Sequence, residues 1–319
     1  MDIRDRRGLL AHAGEALDCA PNHRRLVLLS TGAAAAVSLL VSFLNFILAG
    51  QIDQTGGLSG IGLRSVLSTV QSVLSMVVSF ALPFWALGYT RAMLCIGRKE
   101  AVSDGVLLEG FRRFKPALRL FLLQGLVYFL VCMLCINIGS MLFSMTPLAE
   151  PAYALLEPLL SLETEKAMIE AMYALDINVV MQAFAPMLIG CGVLCVIGCI
   201  PVSYRLRMST YYIMDAPQGG ALAAMLTSNR MMKGNCWALF KLDLGFWWFY
   251  LGEALIAALA WCDELLPALG VTLPVSADGA YFLFYALALS LQLGLYALAR
   301  NRIEVTYAKV YDTLLPKGQ

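Results

Sequence analysis

The sequence predicts an all-α integral membrane protein with six transmembrane helices, and three observations carry that prediction. Of its 319 residues 60% are hydrophobic and only 14% are charged, with a mean hydropathy of +0.72; a soluble domain carries about 25% charged residues. The apolar residues are gathered into six long runs. Lys and Arg fall almost wholly in alternate connecting segments. The net charge of +1 leaves no basic surplus for binding nucleic acid.

Within hydrocarbon every backbone N–H and C=O must be satisfied by the protein itself, so a crossing element is a helix or a closed barrel. Barrel strands alternate apolar and polar residues over segments of about ten, and these runs do not alternate. A helix needs about 20 residues to cross a core of about 30 Å. Leu26–Ala49, Val66–Leu87, Leu120–Phe143, Ala183–Val202 and Tyr281–Ala299 meet that length, and the shorter Leu244–Trp261 carries Glu253 within it. The first run exceeds the apolar core of a signal peptide, about 7–15 residues, and Ile47-Leu48-Ala49 is a poor small-x-small cleavage site, so it is read as a retained helix.

With the N-terminus placed inside, the inner segments hold 21 of the 23 Lys and Arg residues, and the outer segments hold only Arg64 and Lys166. Both termini are therefore expected in the cytoplasm. The expected layout is a cytoplasmic segment 1–25, a membrane domain 26–299 and a cytoplasmic tail 300–319, with inner loops 88–119 and 203–243 and an outer loop 144–180.

The first inner loop places Val102, Val106, Leu107, Gly110, Phe111 and Phe114 near helical spacing, which predicts an amphipathic helix on the inner membrane surface capped by Ser103. In the second, Pro217 fits a first helical turn with Asp215 just before it as a cap. That helix is expected over Gln218–Met232, with Gly234 taking a left-handed backbone beyond its end. Thr227, Ser228, Asn229, Arg230 and Lys233 form its polar side. The outer loop carries Pro147, Pro151 and Pro158, then a helical stretch Glu163–Leu175; its acidic residues read as a solvated face or a cation-attracting vestibule. Displacement by 118 positions sets Pro83 on Pro201, Leu108 on Leu226, Arg112 on Arg230 and Lys115 on Lys233. The shared order of crossing, surface helix, basic end and next crossing is expected of a parallel internal repeat.

The most distinctive stretch is Tyr212-Ile213-Met214-Asp215-Ala216-Pro217, then Ser228-Asn229-Arg230-Met231-Met232-Lys233-Gly234-Asn235-Cys236-Trp237, then Leu239-Phe240-Lys241-Leu242. It resembles the bacterial membrane-protein family called domain of unknown function 975, whose pattern is an Asp-x-Pro turn, a helix ending in Ser-x-x-x-Met-Lys-Gly, and a Trp before Leu-Phe. Tyr307 and Tyr311 resemble that family's Tyr-rich tail more loosely. The resemblance implies a multi-pass protein of the bacterial plasma membrane and no established activity.

An ionisable residue inside a crossing is costly and is a functional hypothesis by default. Glu253 is such a residue, with Gln124, Gln292 or Arg64 as candidate partners for proton relay or cation coordination, and closeness to the outer interface as the bland alternative. Lys241 and Asp243 are explained by a salt bridge or by snorkelling. Phe246-Trp247-Trp248-Phe249-Tyr250 reads as an interfacial aromatic belt, or a stacking site for lipid. Cys132 and Cys135 on the third crossing, and Cys191, Cys195 and Cys199 on the fourth, read as small packing residues rather than metal or redox ligands. No phosphate loop, nucleophile elbow or zinc-hydrolase motif is present.

No catalytic residue, metal site or cofactor is therefore assigned. The expected role is a non-enzymatic scaffold or accessory component that engages anionic lipid headgroups, a membrane-protein partner or a second copy at the inner surface. Asp215, Pro217, Ser228, Arg230, Lys233, Gly234 and Trp237 are the candidate contacts. The alternative is a small-molecule or ion transporter or channel that uses Glu253.

Overall fold

The computed structural model describes residues 3–54, 58–160, 164, 175–263, 266 and 277–315. These residues are almost entirely helical. In chain order the helices are α1 (Arg6–Asp18), α2 (His23–Gln54), α3 (Leu58–Gly97), α4 (Glu109–Arg112), α5 (Phe114–Ser144), α6 (Glu150–Leu160), α7 (Ile177–Leu206), α8 (Ser209–Asp215), α9 (Gly220–Met232), α10 (Cys236–Asp243), α11 (Trp247–Ala260) and α12 (Ala277–Leu314). Short 3-10 turns occupy Asp104–Leu108, Pro147–Ala149, Pro217–Gly219 and Leu244–Phe246.

Six of these stretches are long and apolar enough to span a membrane, and they coincide with the six apolar runs. Their flanks stay uncovered: Met76, Ile177, Ile189 and Leu298 are among many large apolar side chains left exposed. Such belts are unstable in water and stable in hydrocarbon.

The chain divides into two compact units, residues 1–120 with 208–319, and residues 121–207. In the second unit α5 and α7 meet through small residues. A Cβ at Gly139 would lie 2.7 Å from Cys191 Sγ, and one at Gly198 would lie 2.7 Å from Cys135 Sγ. Cys132 and Cys199 sulfurs approach to 3.7 Å, and Cys195 donates to the Cys132 carbonyl. The thiols thus act as the close-packing residues of an apolar helix pair. The α6 helix begins with Pro151 in its first turn, where a missing N–H costs nothing. The stretch Glu163–Leu175 lies, but for two positions, outside the described residues.

In the first unit α2, α3, α11 and α12 carry the apolar faces, and one end forms a polar cap. The cap consists of α1, the last turns of α3, residues 104–112, α8, α9, α10 and the final third of α12. α12 does not stop at Ala299 but runs on to Leu314. There it buries Asn301, Val305, Thr306, Tyr307, Ala308, Val310 and Tyr311 in the cap. Much of 300–314 thus joins the core, although its polar composition reads as a tail. α1, not anticipated from the sequence, is capped by Asp5, whose carboxylate accepts from Gly8 N–H at 3.0 Å. It buries Leu9, Ala13 and Ala16, and His12 reaches the Gly97 carbonyl at 3.0 Å.

Residues 88–119 depart from the amphipathic helix expected there. Residues 88–97 continue α3, and the rest forms a 3-10 turn and the single-turn α4. Ser103 stands before the 3-10 turn but its side chain makes no capping bond. The reason is a close backbone approach. A Cβ on Gly88 would lie 1.9 Å from Leu107 O, and one on Gly110 would lie 1.8 Å from Phe84 O. The segment seats in these two notches and buries Leu107, which a straight amphipathic helix along the membrane surface would not allow.

Candidate functional site

Residues 203–243 fold as their sequence suggests, with different roles for some of them. Pro217 opens the 3-10 turn Pro217–Gly219, and α9 follows to Met232. Gly234 has φ of +83°, the left-handed backbone that ends such a helix. Asp215 does not cap this helix: the preceding residue at its start is Ala216, which offers no side-chain bond. Ser228 is buried rather than on a polar face, and its hydroxyl accepts from Met208 N–H at 3.1 Å, tying α9 to the start of α8. Arg230 and Lys233 are exposed, as is Trp237.

Asp215 ends α8 and belongs to an ionic clamp. Arg98, just beyond α3, donates Nη1 to Asp215 Oδ1 at 2.7 Å and Nη2 to Asp215 Oδ2 at 2.8 Å. The same guanidinium donates Nη2 to Asp312 Oδ1 at 2.7 Å and Nε to the same carboxylate at 3.1 Å. Arg91 Nη1 and the Tyr311 hydroxyl each add a bond to Asp215 at 3.3 Å. Arg113 donates to the Met214 carbonyl. The two carboxylates hold the Arg98 guanidinium protonated far above its ordinary range, against the opposing effect of burial. One arginine therefore fastens α3, α8 and α12 together through planar, bidentate geometry that lysine cannot reproduce. Sequence reading found Asp215 and Tyr311 but not Arg91, Arg98 or Asp312.

Two further polar links lie nearby. Asp243 is buried and accepts from Tyr307, whose oxygen meets Tyr250 at 3.0 Å. Lys241 does not pair with it; its ammonium sits 5.6 Å from the Trp237 ring centroid, and Trp237 stacks on Phe240. In the aromatic run Phe246 and Phe249 are buried, while Trp247 and Trp248 are exposed.

A basic groove of about 340 Å³ opens beside Trp237. Arg4, Arg6, Gly234, Trp237 and Lys241 line it. It joins the N-terminal segment, which no motif marked, to the Gly234 turn. Arg230 and Lys233 are not among its lining residues.

Glu253 lies on α11, where Tyr296 of α12 donates to its Oε2 at 3.1 Å. Gln292 donates in turn to the Tyr296 oxygen at 3.2 Å. Gln292 is thus linked to Glu253 through a tyrosine that sequence reading did not single out. Glu253 Oε1 is buried without a hydrogen-bond partner. The Arg64 side chain lies outside the described residues, and Gln124 belongs to the other unit. No group of three or more metal-ligating side chains comes together among the described residues.

Comparison with curated proteins and with solved structures finds no match. A family model matches residues 25–312, a range that takes in the six apolar runs, the clamp and the Asp215–Trp237 stretch. The chain belongs to the family described as Protein of unknown function (DUF975).

Proposed function

We propose that this is a multi-pass protein of the bacterial plasma membrane that acts without catalysis, as a scaffold or accessory component engaging anionic lipid headgroups. Both chain ends are cytoplasmic in this reading, supported by the 21 to 2 division of Lys and Arg. The polar cap then lies at the inner surface. The observation that carries the reading is the groove at Arg4, Arg6 and Lys241 beside exposed Trp237, a cationic recess at the border of the apolar belt. Each Lys or Arg near an anionic leaflet contributes about 1 kcal/mol, and a Trp favours the headgroup level. The lipid-bearing face would present the cap to a membrane-protein partner or a second copy. A parallel internal repeat belongs to the same reading, supported by the order crossing, short helices, crossing in both 66–143 and 183–261.

The test is lipid retention. The full chain in nanodiscs of mixed phosphatidylcholine and phosphatidylglycerol should enrich phosphatidylglycerol around itself. Arg6→Gln combined with Lys241→Gln should remove that enrichment while leaving the melting temperature near wild type. Equal enrichment in the double variant rejects the reading.

A second reading, a transporter or channel coupled through Glu253, is favoured by its buried Oε1 and its bond from Tyr296. It expects substrate flux in proteoliposomes that Glu253→Gln abolishes. Flux undiminished in that variant removes Glu253 from the mechanism.

A further inference from the structure

A cavity of about 320 Å³ lies between α2, α3 and α12, at the level where the sixth crossing meets the polar cap. Small residues on α2 open it: Ser30, Thr31, Ala34, Ala35 and Ser38 run along its wall for about 12 Å. Trp85, Gln292, Tyr296 and Arg300 supply the other walls. This is the lower range of size for a small-molecule site, about 300–1,000 Å³.

Two features of the lining ask for a ligand. Arg300 is held between aromatic rings, its guanidinium carbon 4.6 Å from the Tyr89 centroid and 4.7 Å from the Tyr296 centroid. No carboxylate among the described residues pairs with it, in contrast to Arg98 with its two aspartates. The flanking rings fix its direction and leave its N–H groups without an anion. The second feature is Thr31, which is 6% exposed, lines the cavity, and has an Oγ1 without any hydrogen-bond partner. Helical hydroxyls ordinarily bond the carbonyl one turn back. Thr69, Ser72, Thr90, Ser290, Thr306 and Thr313 all do so in this chain. Thr31 does not, and Arg300, with no carboxylate partner among the described residues, lines the same cavity. Below Arg300 the wall turns apolar at Leu82, Ala86 and Leu289.

We infer that this cavity binds a small amphiphilic organic anion, its carboxylate or phosphate head held by Arg300 and Thr31 and its apolar body lying along Ala34, Ala35 and Leu289. The site is separate from the groove at Arg6 and Lys241, and it stands whether or not anything crosses the membrane at Glu253. The carboxylate and phosphate sources share oxyanion chemistry and are separated by the probes.

The test uses the purified full chain in a neutral detergent, titrated with octanoate, octyl phosphate, octanol and inorganic phosphate while the melting temperature is followed. Octanoate or octyl phosphate should raise it in a saturable way, and octanol should not. The better of the two anions identifies the head, and a rise with inorganic phosphate alone would overturn the need for an apolar body. Arg300→Gln should weaken the anion's apparent affinity roughly tenfold to a hundredfold, the effect of losing a charged hydrogen-bonding group. Because Arg300 also packs between two tyrosines, two gentler variants accompany it. Thr31→Val preserves shape and should weaken the anion severalfold. Ala35→Leu fills the cavity without touching the aromatic sandwich and should abolish the shift. Octanol matching octanoate, or Thr31→Val and Ala35→Leu both binding like wild type, would overturn the inference.

Discussion

Replacing Asp215 by Asn tests whether the Arg98 clamp holds the polar cap together. Asp215 accepts two bonds from Arg98 at 2.7 and 2.8 Å, one from Arg91 at 3.3 Å and one from Tyr311 at 3.3 Å. Asparagine keeps the shape but offers one acceptor oxygen, and it turns an amide N–H₂ toward a guanidinium. A hydrogen bond to a charged group contributes about 1.5–3 kcal/mol, and stranding one member of a fully buried ion pair costs about 3–5 kcal/mol. Here the Arg98 and Asp215 side chains keep 26% and 17% exposure, and Asp312 still holds Arg98. Discounting for water and for that remaining partner gives about 2–3 kcal/mol. In a unit of this size the melting temperature falls by roughly 5–10 °C. The assay is thermal unfolding of the purified full chain, followed by maleimide capture of buried thiols such as Cys95. A cycle with Arg98→Met should give a coupling energy of about 1–3 kcal/mol. Additive effects, or an Asp215→Asn protein melting within about one degree of wild type, would refute the clamp.

Gly110→Ala should destabilise by about 3 kcal/mol in the same melting assay, because its Cβ meets the Phe84 carbonyl, and backbone cannot step aside as a flexible side chain does. Lys99 follows α3 with φ of 59°, and Glu100 N–H closes onto the Cys95 carbonyl; Lys99→Gly should raise stability by about 0.5–1 kcal/mol, its exposed pairing with Glu15 contributing little. Tyr307→Phe removes a donor to buried Asp243 and should cost about 1–3 kcal/mol, whereas Tyr250→Phe, at the exposed outer end of that chain, should cost less. A Tyr250→Phe loss exceeding that of Tyr307→Phe would reverse the assigned order.

The six long apolar helices are legible because apolar length is a one-dimensional property. A run such as Leu120–Phe143 declares itself without its neighbours. Gly234 and Pro217 were legible for a similar reason, since each acts on its own backbone. Asp215 was found but misassigned. Its cap role is a local rule, whereas its partner Arg98 lies 117 positions away, and Arg98 and Asp312 are 214 apart. Local capping lost to long-range charge pairing. Residues 88–119 differ for another reason: their apolar spacing fits a helix, but Gly88 and Gly110 let backbones touch and draw the segment into a shorter fold. Residues 300–314 were read as tail from their charges, yet Ile303, Val305, Tyr307, Val310 and Tyr311 carried an apolar pattern that continues α12. Glu253 was singled out on cost alone; Tyr296, a phenol in an apolar run, gave no comparable signal.

The unbroken length of α12 has a mechanical consequence. Its 38 residues make a rod about 57 Å long. One extremity is riveted by Asp312 to Arg98, and midway along it stand Arg300, Tyr296 and Gln292. The grip extends well beyond the tip, because Asn301, Tyr307 and Tyr311 are also bonded within the cap, so the part free to lean is the stretch before residue 300. A one-degree tilt about residue 300 displaces the opposite end by about 0.6 Å. A lean of that free part therefore moves its far end while the Tyr296–Glu253 contact, one turn from the clamped third, and the rivet itself stay nearly still.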